Sequence, residues 1–265
     1  MKNFINIFLV LIFTVACGKL EYSPYAFNVD SLKVSDSNLR SILSKGQFEA
    51  AAKTHNYSIA IISDTHDYYD GLEKQISYIN SNYENFDFVI VTGDITNVGL
   101  ASEFQQTKKR LDKLKVPYIT TSGNHDLLID GEKIYNELFG KDTYAFVYKD
   151  TKYILYNNNN WESSSQSPDF KWLEKELKSN QSSNLIVLSH VAPNDTDRFN
   201  KSDINFTRDL INKHGVDYYI NGHNHNHAEG LFGDANHLTA GSPSKKILLT
   251  VNISITGVTH EFVKL

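Results

Sequence analysis

The sequence predicts an α/β domain built in layers, and three observations predict it. From Tyr57 onward, short runs rich in Ile, Val and Tyr alternate with amphipathic stretches of helical spacing. Polar clusters fall where the apolar runs stop, which is where open α/β sheets collect ligands. At 265 residues, with 40% hydrophobic and 22% charged side chains, the chain can bury a large core and shows no compositional sign of extensive disorder.

Taken in order, Tyr57–Ile62 reads as a buried strand and 72–83 as a helix. A second strand over 86–91 leads to a helix over about 101–115, and a third strand covers 116–121. Residues 143–148 and 152–156 form a hairpin. Ser167 stands as an N-cap with Pro168 in the first turn, opening the helical stretch FKWLEKEL. Strands at 184–189 and 216–220 flank a helix near 203–213. The tail, 226–265, carries short strands joined by Gly- and Ser-containing turns and has no helical period. There is no internal repeat, and 56–265 is expected to be one domain.

The first residues have a different character. Lys2 precedes an apolar run over 4–13, small residues follow, and Ala16 stands before Cys17, the single cysteine. That is the anatomy of a secretory signal peptide over 1–16, and the run is shorter than the roughly 20 residues a membrane-spanning helix needs. Thr14-Val15-Ala16-Cys17 resembles a bacterial lipoprotein lipobox, with Thr14 where Leu is usual. The resemblance implies lipidation of Cys17, export, and membrane anchoring at a periplasmic or cell-surface face; plain secretion after Ala16 is the alternative. Residues 17–55 read as a tether and lead-in. One cysteine also excludes an internal disulfide framework and a thiolate-rich metal site. A net charge of −5 with no Lys/Arg run argues against gripping a nucleic-acid backbone.

Five polar clusters follow five expected strands: Asp64-Thr65-His66, Gly93-Asp94, Gly123-Asn124-His125-Asp126, Ser189-His190 and Gly222-His223-Asn224-His225. Each alone is weak, since an isolated His after a strand is more often structural than a ligand. Five in succession are not explained by chance. Oxygen and imidazole donors without thiolate suit Mn, Fe, Zn or Co, and Gly93, Gly123 and Gly222 let the backbone turn tightly beside them.

This ordered set resembles the calcineurin-like metallophosphoesterase family over about 57–265. The segment GDITNVGLASEF and the stretch TAGSPS at 239–244 are similar to its class III cyclic nucleotide phosphodiesterase branch. The resemblance implies a four-layer sandwich of two mixed β-sheets flanked by helices. It implies two metal ions (Mn, Fe or Zn): Asp64, His66, Asp94 and His225 hold one, and Asp94, Asn124, His190 and His223 the other. It further implies hydrolysis of a small phosphate ester, a diester ahead of a monoester, by a hydroxide bridging the ions, with His125 giving a proton to the leaving group.

Around this set, Asp126 either orients His125 or caps the following stretch, and Asn97 either touches substrate or forms a turn. His227 falls on the rim or surface. His55, His214, His237 and His260 are structural or exposed. Tyr68, Tyr69 and Trp161 either line a pocket or pack. Nucleotide pyrophosphatase activity, and a non-catalytic metal-binding surface lipoprotein on the same fold, are the competing functions.

Overall fold

The computed structural model describes residues 56–164 and 167–265; the expected signal peptide, Cys17, the tether and His55 lie outside them. Among the described residues, eleven strands and five α-helices follow one another as β1 (Tyr57–Ile62), α1 (Tyr69–Ser81), β2 (Phe86–Thr92), α2 (Ala101–Leu111), β3 (Tyr118–Thr121), α3 (Gly131–Phe139), β4 (Tyr144–Tyr148), β5 (Thr151–Leu155), α4 (Phe170–Lys178), β6 (Asn184–Leu188), α5 (Lys201–His214), β7 (Tyr218–Asn221), β8 (Ala228–Phe232), β9 (Ala235–Thr239), β10 (Ile247–Ser254) and β11 (Gly257–Lys264). Among the described residues no helix is long and apolar enough to cross a membrane.

The strands form two mixed sheets, one ordered β11-β10-β1-β2-β3 and the other β4-β5-β6-β7-β9-β8. In each, a parallel centre (β1-β2-β3 and β5-β6-β7-β9) is bordered by antiparallel strands. The period of two along a strand sorts the side chains between faces. Ile59, Ile61, Phe88 and Ile90 point inward against Tyr153, Leu155, Ile186, Leu188 and Ile220, joining the two sheets face to face. The alternate residues Ala60, Ile62, Val89 and Val91 meet α1, α2 and α3 through Leu72, Ile76, Phe104, Ile134 and Leu138. On the far side Ile154, Tyr156, Val187 and Tyr219 meet α4 and α5 through Leu173, Leu177, Leu210 and Ile211. The result is helix, sheet, sheet, helix, with both faces of every central strand covered. That is why β1 from Ile59 to Ile62 and β2 from Phe88 to Val91 are apolar without interruption.

Several boundaries differ from expectation. Helix α4 starts at Phe170, and its cap is Asp169, whose carboxylate accepts from the Trp172 amide at 3.0 Å. Ser167 instead donates its hydroxyl to the Asn157 carbonyl, so Pro168 precedes the helix rather than opening it. Helix α1 begins three residues earlier than its apolar spacing suggested, α2 ends at Leu111, and β3 and β7 are shorter than expected. Helix α3 has no counterpart in the expected elements, although Ile134, Tyr135 and Leu138 mark its buried face.

Candidate metal centre and active site

The carboxyl ends of five parallel strands meet at one edge of the sandwich. Asp64 and His66 follow β1, Asp94 follows β2, Asn124 follows β3, His190 follows β6, and His223 and His225 follow β7. Asp64, Asp94 and Asn124 thus descend from one sheet, and His190, His223 and His225 from the other.

Two groups of donors converge. Asp64, His66, Asp94 and His225 each present a donor atom within 4.8 Å of the others, as do Asp94, His190 and His223, so Asp94 belongs to both. Asp94 Oδ2 lies 3.4 Å from His66 Nε2 and 3.2 Å from His190 Nε2. Asn124 Oδ1 is 3.2 Å from His190 Nε2, which places it in the second group. His66 Nε2 and His225 Nε2 approach to 3.1 Å, and His223 Nδ1 and His190 Nε2 to 3.3 Å.

Backbone geometry aims these side chains. Eight described non-glycine residues have left-handed φ, and five of them are Asp64 (51°), His66 (42°), Asp94 (51°), His223 (72°) and His225 (58°). Such conformations are sparsely populated for side-chain-bearing residues and gather at functional sites. The loops brace one another: the Asp64 amide donates to the Gly93 carbonyl, the His66 amide to the Asp94 carbonyl, and the His223 amide to the Asp64 carboxylate at 3.0 Å. Gly123 is required by close approach, because a Cβ there would sit 2.2 Å from the Asp94 amide nitrogen.

The arrangement fits bound cations. His190 Nδ1 donates to the Thr92 carbonyl at 2.8 Å, leaving Nε2 as the inward-facing donor atom. Imidazole lone pairs and carboxylate oxygens aimed at one another from about 3 Å repel unless a positive charge lies among them. The protonation preferences record the same demand. Burial pushes the Asp64 carboxyl up to about 7 against the opposing pull of His190. Burial works against a charged His190, yet the neighbouring Asp94 and Asp64 raise it to about 9. Burial also opposes ionisation of Asp94, but His190, His125 and His66 hold its carboxyl well below the usual range. His223, mainly through burial, falls to about 4, and burial likewise lowers His66 and His225.

Beside the donors stands His125, partly exposed, with its ring centroid 4.8 Å from that of His66. Its Nδ1 contacts the Asn97 main-chain carbonyl, which turns Nε2 to the open side, and its amide donates to Asp94 Oδ1 at 2.9 Å. Asn97 therefore acts on His125 through its backbone, while its side chain is exposed. Asp126 takes neither of its expected roles. Its buried carboxylate accepts from the amides of Gly123, Ile95 and Thr96 and from the Thr96 hydroxyl, cross-linking the loops after β2 and β3.

The flanking residues separate. His227 is exposed, with its ring 5.0 Å from Phe262 and away from the donor groups. His237 bonds Asn221, and His260 bonds Tyr218 and Glu229. Tyr69 packs under Arg110, Trp161 carries Arg198 on its ring, and Tyr68 lies against His66 and His225.

Sequence reasoning missed the run Asn157–Asn160 that follows β5. Asn158 clasps Val191, beside His190, by donating to its carbonyl at 2.8 Å and accepting from its amide at 3.0 Å. Asn159 donates to the Ser122 carbonyl, two residues before Asn124. Four asparagines in a row read only as loop; Asn158, Asn159 and Asn160 each have a partner more than thirty residues away.

A model of the calcineurin-like phosphoesterase family matches residues 57–227, a span that contains every donor named above. The chain belongs to the calcineurin-like phosphoesterase family. As a member it is a metal-dependent hydrolase acting on phosphoric ester bonds. Among its relatives, a protein of Xenorhabdus bovienii described as a probable cyclic nucleotide phosphodiesterase is 27% identical over 184 residues, 61% of this chain and 70% of its own length. This agrees with the resemblance to the cyclic nucleotide phosphodiesterase branch. The glycerophosphodiester phosphodiesterase GpdQ of Enterobacter lignolyticus is 35% identical over 80 residues, spanning 26% of this chain and 29% of that protein. The purple acid phosphatase PPD1 of yellow lupin superposes with a TM-score of 0.66 at 15% identity, over 80% of this chain and 52% of that one, and shares the four-layer fold.

Proposed function

We propose that the chain hydrolyses phosphodiesters at a dinuclear metal centre. The observation that carries this reading is the convergence of two donor groups on the single carboxylate of Asp94. When bound, two cations so placed acidify and hold the attacking water and neutralise charge building on the phosphoryl oxygens. The protein's own residues do the rest. Asp94 faces both ion positions, and Asn124 and the oriented His190 fix the second. His125, whose Nδ1–H is engaged by the Asn97 carbonyl, presents Nε2 to the departing alkoxide and as the imidazolium would give it the Nε2 proton, returning to the neutral ring. Preference for diesters over monoesters is supported by the descriptions of the Xenorhabdus and Enterobacter relatives, both phosphodiesterases.

We also propose that the protein works outside the cytosol, held to a bacterial membrane through lipidated Cys17, a reading supported by the sequence of residues 1–17. Metabolic incorporation of labelled palmitate, lost in Cys17→Ser, is the expected result.

The catalytic reading is tested with the Mn²⁺-supplied protein and bis(p-nitrophenyl) phosphate. Asp94→Asn should lower kcat/KM by about a thousandfold or more, because it weakens both ion positions at once. Undiminished turnover in that variant sinks the proposal.

A further inference from the structure

We propose that Tyr68 selects phosphate esters carrying a planar aromatic group, by offering its ring as a wall beside the metal centre. This rests on the reading of the site as one that receives a phosphate ester. Tyr68 is 38% exposed, and its ring belongs to none of the three apolar clusters that build the described residues. Among those residues its phenol hydroxyl has no hydrogen-bond partner, so packing in the fold does not account for it. What it does touch is the candidate metal centre. Its ring centroid lies 6.1 Å from that of His66 and 6.3 Å from that of His225, edge-on at 85° and 87°.

The chain fixes this placement. Tyr68 directly precedes α1, and its amide donates to the Thr65 carbonyl at 2.8 Å, in the turn that carries His66. The adjacent Tyr69 is turned the other way, under the Arg110 guanidinium at 4.0 Å.

His125 reaches the same ligand from its own side, at 4.8 Å from His66. Tyr68 and His125 thus both border His66, and the proposal places between them the ester substituent that draws a proton from His125. A flat aromatic group there gains offset or edge contact with the ring, whereas a methyl or glyceryl group gains little. Trp161, another of the exposed aromatics, is the weaker candidate. Arg198 covers its ring at 4.4 Å and is itself paired with Glu162 at 2.8 Å, so that face is already occupied.

The test is titration calorimetry of the Mn²⁺-loaded protein with phenylphosphonate and with methylphosphonate, in wild type, Tyr68→Ala, Tyr68→Phe and Tyr68→Trp. Wild type should bind the phenyl compound about tenfold more tightly than the methyl compound. Tyr68→Ala should bring the two within about twofold by loss of phenylphosphonate affinity alone, and Phe and Trp should keep the preference. Absence of a preference in wild type overturns the proposal, as does its survival in Tyr68→Ala. An equal fall for both ligands also overturns it, since that marks a merely structural residue. Turnover of bis(p-nitrophenyl) phosphate is scored separately: its absence sinks the hydrolytic reading, while the phosphonate ratio still judges Tyr68.

Discussion

His125 is the residue whose contribution depends most on the substrate. Its ring is anchored at one nitrogen by the Asn97 carbonyl and its amide by Asp94, so its position is set by the loops and not by any ligand. A group that supplies a proton matters in proportion to how much the leaving oxygen needs one. His125→Ala should therefore reduce kcat by about 10²- to 10⁴-fold for an alkyl diester such as a glycerophosphodiester. The loss should be much smaller for p-nitrophenyl esters, whose leaving group departs as a stable anion. Metal content should be unchanged, because no donor atom of either group is removed. Steady-state rates on the two substrates, with metal analysis of the variant, check all three statements. Equal losses on both substrates would assign His125 to phosphate binding instead.

At the scale of elements, the strand-end loops hold one another, and Asn158 shows how. It is buried, and both ends of its amide are spent on Val191, next to His190. Asn158→Ala leaves the buried Val191 amide without a partner, while its carbonyl keeps the Ser189 hydroxyl, so it should lower unfolding free energy by about 1–3 kcal/mol. It should also weaken metal affinity by about 10- to 100-fold, as outer partners of ligating residues do. Denaturant melts and metal titration read the two effects. None of this was legible beforehand, because a run of asparagines after a strand carries no mark of which distant carbonyl each will meet. The same holds for Asp126, whose loop-joining role depends on Ile95 and Thr96 some thirty residues earlier. By contrast, β1 and β2 were legible because strands buried on both faces are largely apolar, and the convergence of the candidate donors because each cluster ends such a run. Helix α3 was not, since a nine-residue helix with Gly131 in its first turn and no side-chain cap gives little local signal. The start of α4 was misplaced because Ser167-Pro168 imitates a helix opening that Asp169 supplies two residues later.

For the whole molecule, the donor cluster should couple pH, metal and stability. In the metal-free protein burial raises Asp64 to about 7, and Asp94 with Asp64 raises His190 to about 9 despite its burial. Groups raised above their unfolded values contribute stability that is complete below those values. That contribution is lost as pH climbs from the unfolded value through the folded one, from 3.8 to about 7 for Asp64 and from 6.5 to about 9 for His190, so near and above neutrality His190 dominates. A divalent cation replaces those protons, so its stabilising effect should grow over the same window. Melting temperatures with Mn²⁺ and with EDTA should therefore diverge steadily from about pH 6 to about pH 8.5. A gain that is constant or shrinking with pH contradicts this.

Because the donors are drawn from both sheets, an ion bound among them acts as a rivet through the seam of the sandwich at one end. The opposite end is closed by side-chain contacts between the sheets, among them the Tyr57–Tyr153 hydroxyl pair at 2.7 Å and the Lys149–Asp87 ion pair at 2.8 Å. Withdrawing the rivet frees the two halves to hinge apart at the catalytic edge while their far margins stay shut. Loss of metal is thus a mechanical event as well as a chemical one. Amide exchange should quicken first in the loops after β1, β2 and β7.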